Sequence, residues 1–353
     1  MARIPSDRGS APPGRSRPPR ASPSEAAASL LWELTISKSH DDTLTAARRV
    51  TGIPSAACLS RSLAGSLDGT VLAFCAATAI LCSPVWAADR RLVVRTPAVE
   101  ATISGRLPVP EPDLVQWIDD AAAAVTTYLG RYPVPRVRLR IRAGGSGGIG
   151  RGMTFGGGAP QVRVDVGRDT KLADLRSDWV LTHEMFHLAF PDLTSDDTWA
   201  EEGLSTYIEP LGRARIGTIS ADKVWADLIE GIPQGARPVR ARGLHGTGDW
   251  GRTYWGGALF WLLADVGIRE KTHGRHGLPD ALVGILEAGG DIRAHWDLRR
   301  TLAAADRAVG VSLLSDLYDR LAARPGTVDL DDLWRRLGVR RAIAGPGSGK
   351  DAD

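Results

Sequence analysis

The 353-residue sequence predicts an α+β fold, with a small mixed β-sheet followed by a mainly α-helical half. Two observations support this prediction. Between residues 90 and 167, apolar and polar residues alternate in several short runs, which is the period of a half-buried strand. From residue 171 onwards, apolar residues recur every three or four positions, which is the period of a helix. We therefore expect a single domain at residues 88–340.

The first part of the domain contains the predicted strands. Residues 91–105 alternate loosely and are typical of one or two strands, and residues 110–133 form a helix that begins with proline. Residues 136–144 and 161–167 alternate strictly, as half-buried strands do. Residues 144–158 are so rich in glycine that they predict a loop, in a spacing that fits no phosphate-binding motif.

The second part of the domain is predicted to be helical. Apolar residues at helical spacing indicate helices at 171–190, 198–210, 252–268, 280–289, 297–310, 311–324 and 329–338. The last residues, 341–353, are small and polar, and we expect a disordered tail.

The first 87 residues resemble a leader. Residues 71–82 are an apolar run of 12, too short to span a membrane but typical of the core of a signal peptide. Arg61 precedes the run, and Ala87 provides a small residue for cleavage. We therefore predict a signal peptide at 61–87 and an exported protein, periplasmic or secreted, without a stable membrane span in the mature chain. Residues 1–60 are expected either to be disordered or to be an extension that results from a translation start assigned too far upstream.

Charge and cysteine content exclude other classes. Residues 1–87 contain nine Lys/Arg and six Asp/Glu, and the 35 basic and 35 acidic residues that follow cancel. Without a basic stripe we expect no nucleic-acid partner. The three cysteines all precede residue 83, so a metal site in the domain must use His, Asp or Glu.

The segment HEMFH at 183–187 predicts a zinc site. On a helix, His183 and His187 share one face and can both bind one zinc ion. Glu184 then lies beside the metal, where it can take a proton from a zinc-activated water. The alternative is that two surface histidines fall four positions apart by chance.

The pair of segments HEMFH and WAEEGLSTYIE resembles the gluzincin metallopeptidases, in particular the glycyl-aminopeptidase and leucyl-aminopeptidase-like catalytic domains. The resemblance implies a thermolysin-like zincin fold with one Zn²⁺, for which Glu202 is the third ligand. Glu201 is the competing candidate. Thr206, one helical turn after Glu202, is placed to support that ligand.

The segment RTYWGGALFWLLADVGIRE is similar to a third helix of that family. The resemblance implies that Tyr254 donates a hydrogen bond to the oxygen that gains negative charge in the transition state, which is chemistry suited to a neutral phenol. His245, in the preceding loop, is the alternative donor.

The sequence also departs from that family. Its aminopeptidases have a glutamate, on a strand before the zinc helix, that binds the amino terminus of the substrate. The matching segment here, at 147–166, has no glutamate. The backbone of residues 153–155 or of residues 161–166 can still pair with a peptide as an added strand.

These features together predict a zinc metallopeptidase that acts on a peptide or protein substrate. Two alternatives stay open: a binding or scaffold module with an inactive zinc site, and a zinc hydrolase of a non-peptide amide or ester.

Overall fold

A computed structural model describes residues 89–245 and 249–339. The predicted extension at 1–60, the signal peptide at 61–87 and the tail at 341–353 lie outside the described residues, and these predictions stay untested.

The sheet has five strands in the order β1-β2-β3-β5-β4. Strands β2, β3 and β5 are parallel, and β1 and β4 are antiparallel to their neighbours at the two edges. The mixed sheet of the predicted α+β fold is therefore confirmed. The bounds of the strands are β1 Arg90–Leu92, β2 Val99–Ser104, β3 Val137–Ala143, β4 Ile149–Phe155 and β5 Gln161–Val166.

Strand β4 corrects the prediction of a loop at 144–158, because half of that glycine-rich segment is extended and paired with β5. Glycine obscured the strand signal, but it is required by packing at one position. A Cβ atom at Gly152 would lie 2.5 Å from Cγ of Glu184 in the following helix. The strand order also decides where a peptide can be added. Strand β5 lies between two strands, whereas β4 has one open edge.

Ten α-helices follow or separate the strands within the described residues. They are α1 Glu111–Leu129, α2 Leu172–Ser177, α3 Val180–His187, α4 Thr198–Arg215, α5 Ala221–Arg242, α6 Gly257–Thr272, α7 Leu278–Glu287, α8 Leu298–Val309, α9 Leu314–Leu321 and α10 Leu330–Arg336. None of these helices is both long and apolar enough to cross a membrane.

Three helical segments differ from the sequence prediction. The predicted helix at 171–190 is divided into α2 and α3 at Asp178, whose backbone is extended. Helix α5 was not predicted, because Pro233 and Pro238 within it are poor helix formers. Its glycines let it approach a neighbour: a Cβ atom at Gly231 would lie 2.3 Å from the ring of Trp255. The predicted helix at 252–268 begins instead as a π-helix, Gly251–Gly256, which continues into α6.

Helices α4 and α6 contact each other through their backbones. A Cβ atom at Gly203 of α4 would lie 2.3 Å from Cα of Gly257, and one at Gly257 would lie 2.1 Å from the carbonyl oxygen of Trp199. Only glycine fits at both positions in this arrangement. The contact brings Glu202, which precedes Gly203, beside the π-helix that carries Tyr254.

Candidate metal centre

Helix α3 carries HEMFH, and Asp178 fixes its start. The two carboxylate oxygens of Asp178 accept hydrogen bonds from the backbone N–H groups of Val180, at 2.9 Å, and Leu181, at 3.1 Å. The indole N–H of Trp117 in α1 donates to the same carboxylate at 2.8 Å. These bonds satisfy N–H groups that a helix start otherwise leaves unpaired, and they tie α3 to α1.

The side chains of His183, His187 and Glu202 meet between α3 and α4. The Nε2 atom of His183 lies 3.0 Å from Oε2 of Glu202, and Nε2 of His187 lies 3.5 Å from the same oxygen. One ligand atom from each of the three residues lies within 4.8 Å of the other two. Within the described residues, this is the one group of His, Cys, Asp and Glu with such a geometry.

The donor set of this cluster fits zinc. Two imidazole nitrogens and one carboxylate are a ligand set of catalytic zinc sites, which keep a further position for water or substrate. His183 is buried, and Glu202 is half-buried at the wall of a cleft. The cleft gives solvent access to the site.

Without a metal, the three groups perturb one another strongly. Burial disfavours the imidazolium form of His187, but the hydrogen bond and charge of Glu202 outweigh it and raise the pKa of His187 to about 9. Burial lowers the pKa of His183. The pKa of Glu202 is well below its usual range, because its hydrogen bonds to both histidines outweigh the effect of burial. Without a metal, this centre therefore stabilises a negative charge on Glu202 and a positive charge on His187.

The neighbours of Glu202 have different contacts. One carboxylate oxygen of Glu201 accepts a hydrogen bond from the backbone N–H of Leu193 at 2.7 Å, and burial raises the pKa of this carboxyl to about 7. The hydroxyl of Thr206 donates to the main-chain oxygen of Glu202 at 2.7 Å, not to its carboxylate. The structure thus brings Glu202, and not Glu201, into the cluster with both histidines.

Glu184 contacts strand β4. The hydroxyl oxygen of Thr154 lies 2.7 Å from Oε2 of Glu184 and 2.8 Å from its main-chain oxygen. Gly152 provides the space for the side chain on the same strand. The sequence predicts no role for the side chain of Thr154 or for Gly152, because both lie in the segment that was predicted to be a loop.

Tyr254 lies on the π-helix and lines the same cleft as the metal cluster. Its ring is stacked on that of His183, with a centroid distance of 6.3 Å and an angle of 28°. Burial, followed by the charges of Glu202 and Glu184, raises the pKa of Tyr254 to about 12. Its hydroxyl is consequently a proton donor at neutral pH.

His245, the alternative donor, belongs to a different cluster. Its Nε2 atom is hydrogen-bonded to the hydroxyl of Tyr318 in α9, and its Nδ1 atom lies 3.4 Å from a carboxylate oxygen of Asp197. His245 is not among the residues that line the cleft, whereas Tyr254 is.

The cleft has a volume of about 440 Å³. Strand β4 forms one wall, α3 contributes Trp179, Val180 and the two histidines, and Tyr254 lies on the other side. The open edge of β4 therefore runs beside the candidate metal centre.

Comparisons with known proteins support the fold. An aminopeptidase N family protein from Idiomarina loihiensis aligns at a TM-score of 0.52 with 12% sequence identity, over 70% of this chain and 48% of that chain. Yeast LTA4 hydrolase aligns at a TM-score of 0.47 with 14% sequence identity, over 70% of this chain and 42% of that chain. An M1 zinc metallopeptidase from Deinococcus radiodurans aligns at a TM-score of 0.42 with 19% sequence identity, over 68% of this chain and 53% of that chain.

The likeness to the Idiomarina protein shows a shared fold and nothing finer, since only 12% of the aligned residues are identical. The chain spans about half the length of the structures that it matches. No protein-family model matches the chain, and no curated protein matches it.

We predict that Glu202, and not Glu201, is needed to bind zinc. Glu202→Gln removes the carboxylate that both histidines contact, so we expect the purified full-length protein to lose bound zinc or to bind it at least about tenfold more weakly. Glu201→Gln is the matched control and should keep one zinc per chain. Elemental analysis and chelator competition measure this, with circular dichroism to check folding. Normal zinc content in Glu202→Gln would contradict the prediction.

Proposed function

We propose that this chain is an exported, zinc-dependent metallopeptidase whose single domain, at 88–340, has a thermolysin-like fold of the gluzincin type. The observation that carries the proposal is the convergence of His183, His187 and Glu202 at the wall of a cleft, with Glu184 and Tyr254 beside them. The reaction is the hydrolysis of a peptide bond.

His183, His187 and Glu202 would hold one Zn²⁺. When bound, zinc lowers the pKa of a water molecule to roughly 7 and polarises a carbonyl group, which is the chemistry that peptide hydrolysis needs at neutral pH. The remaining steps depend on side chains of the chain itself.

Glu184 is the proposed general base. Its carboxylate takes a proton from the attacking water and then gives a proton to the nitrogen of the departing amine. Such transfer requires a fixed carboxylate, and the hydrogen bond from Thr154 provides one fixed oxygen.

Tyr254 is the proposed hydrogen-bond donor to the carbonyl oxygen of the substrate. Negative charge develops on that oxygen only as the bond is attacked, so a donor placed there lowers the energy of the transition state more than that of the bound substrate. The stacking of its ring on His183 holds the phenol beside the metal cluster.

The open edge of β4 is the proposed site for the substrate backbone. An extended peptide can pair with this edge through main-chain hydrogen bonds, as in other cases of strand addition. The scissile bond then lies between β4 and the helix that carries Glu184.

We predict that Glu184→Gln abolishes cleavage and keeps the zinc. The amide of glutamine cannot accept the proton, so the rate of cleavage should fall by at least about a hundredfold. A second variant, Tyr254→Phe, lacks the hydroxyl that donates to the carbonyl oxygen, and it should lower kcat by about ten- to a hundredfold with a smaller change in KM. A quenched-fluorescence peptide library with the zinc-loaded full chain measures both. His273→Gln, on the surface, is the control. Zinc-containing wild type that cleaves no peptide would contradict the proposed function.

We predict that Thr154 positions Glu184 and does not bind zinc. Thr154→Val keeps the shape of the side chain but removes the hydrogen bond, so we expect kcat to fall by about tenfold, with unchanged zinc content. Thr154→Ser keeps the hydroxyl and should restore most of the activity. The pH profile of kcat/KM should change in Thr154→Val and return in Thr154→Ser. Equal activity of the two variants would mean that the bond does not matter for catalysis.

The apolar run at 71–82 supports the proposal of export. We predict that the mature protein begins near Ala88 when the full chain is expressed in a secreting host. Amino-terminal sequencing of the protein from the culture medium or periplasm measures this. A mature protein that retains residues 1–60 would contradict it.

A further inference from the structure

Exposed apolar side chains are concentrated at the border of the cleft. The large hydrophobic residues that are exposed among the described residues are Val93, Met153, Phe155, Trp179 and Trp250. Met153 and Trp179 line the cleft. Phe155 follows on β4, and Trp250 is stacked on Tyr254, which also lines the cleft. We call Trp179 and Trp250 the apolar rim.

Trp179 forms the rim at the start of α3. It is 51% exposed, although the rest of its turn is tied to the core through Asp178. Its ring meets that of His183 edge-on at 5.5 Å. A large ring left half in water beside the metal cluster gives a substrate side chain an apolar surface to cover.

Trp250 forms the rim beyond Tyr254. It is 59% exposed, and its ring is nearly parallel to that of Tyr254 at a centroid distance of 5.7 Å. Tyr254 is in turn stacked on His183. The three rings therefore form a column that leads from the metal cluster to the protein surface.

Met153 and Phe155 of β4 are exposed on the opposite face of the sheet from Glu184, where the guanidinium of Arg163 lies over the ring of Phe155. Side chains alternate along a strand, so Gly152 and Thr154 face Glu184 while Met153 and Phe155 are exposed. Single exposed hydrophobic residues are ordinary, but a group around one cleft marks a binding surface.

The charged groups of the cleft leave little to hold a free amino terminus. Glu184 contacts Thr154, and Glu202 contacts the two histidines. A carboxylate oxygen of Asp192 lies 3.1 Å from Nδ1 of His295, and one oxygen of Glu201 accepts a hydrogen bond from a backbone N–H. Strand β4 contributes Arg151 to the cleft, and this cation repels an amino group. The existing partners of the carboxylates and the positive charge of Arg151 both favour an uncharged, internal stretch of peptide as the ligand.

We infer that the apolar rim binds apolar or aromatic side chains on both sides of the scissile bond, within an extended internal segment of a polypeptide. The site is then an endopeptidase site for apolar sequences. This inference rests on the proposed function, because it assigns the substrate class of the same cleft.

The test uses the zinc-loaded full chain and peptides that are acetylated and amidated, so that they have no terminal charge. One set has Phe or Leu on both sides of the central bond, and the other has Ser or Asn. We expect at least about tenfold higher kcat/KM for the apolar set. Trp179→Ala and Trp250→Ala should each remove most of this preference through KM. Trp179→Phe should restore it, and Val93→Ala, an exposed residue away from the rim, should have no effect.

A binding measurement separates this inference from the proposed function. Fluorescence anisotropy of the labelled capped peptides with Glu184→Gln requires no turnover. Tighter binding of the apolar set, lost in Glu184→Gln with Trp179→Ala, supports the rim even if the wild type cleaves nothing. Cleavage of both sets alike, or only of peptides with a free amino terminus, would overturn the inference while the peptidase proposal stands. Rim-dependent binding to lipid vesicles but not to peptides would also overturn it.

Discussion

The contact between the backbones of α4 and α6 is the constraint on which the candidate site depends. Gly203 and Gly257 meet without side chains, so the two helices approach more closely than packed side chains allow. Glu202 stands next to one of these glycines, and Tyr254 lies one turn before the other. A metal ligand and a proposed hydrogen-bond donor are thus placed together by main-chain packing.

A second close contact acts from the opposite side. Strand β4 lies against α3 at Gly152, and the hydroxyl of Thr154 bonds to Glu184. The helix that carries both histidines is therefore confined between the edge strand and α4. Asp178 fixes the start of this helix, so its position along its own axis is also set. Glu184 is bonded to Thr154 of β4, and Glu202 of α4 contacts both histidines of α3.

The sequence predicts some parts of this arrangement and not others. The segment HEMFH can be recognised in the sequence because two ligands on one helix face require only a spacing of four residues. Strands β3 and β5 can be recognised because their apolar and polar residues alternate strictly. Strand β4, helix α5 and the π-helix were missed or misassigned. Their glycines and prolines have low helix or strand propensity, but they fit contacts with residues that are far away in the sequence. The propensities of neighbouring residues do not include such contacts. Thr154 was missed for the same reason, since its role exists only once β4 meets α3.

The glycines at the contacts also bear on how the sequence can change over time. A glutamine can replace a glutamate without altering the volume of a site, but any residue that replaces Gly203 or Gly257 adds atoms where the backbone of a neighbour already lies. The positions at which this domain tolerates no added atom are therefore set by the backbone of a neighbouring helix, in addition to the positions that are set by the chemistry of the site.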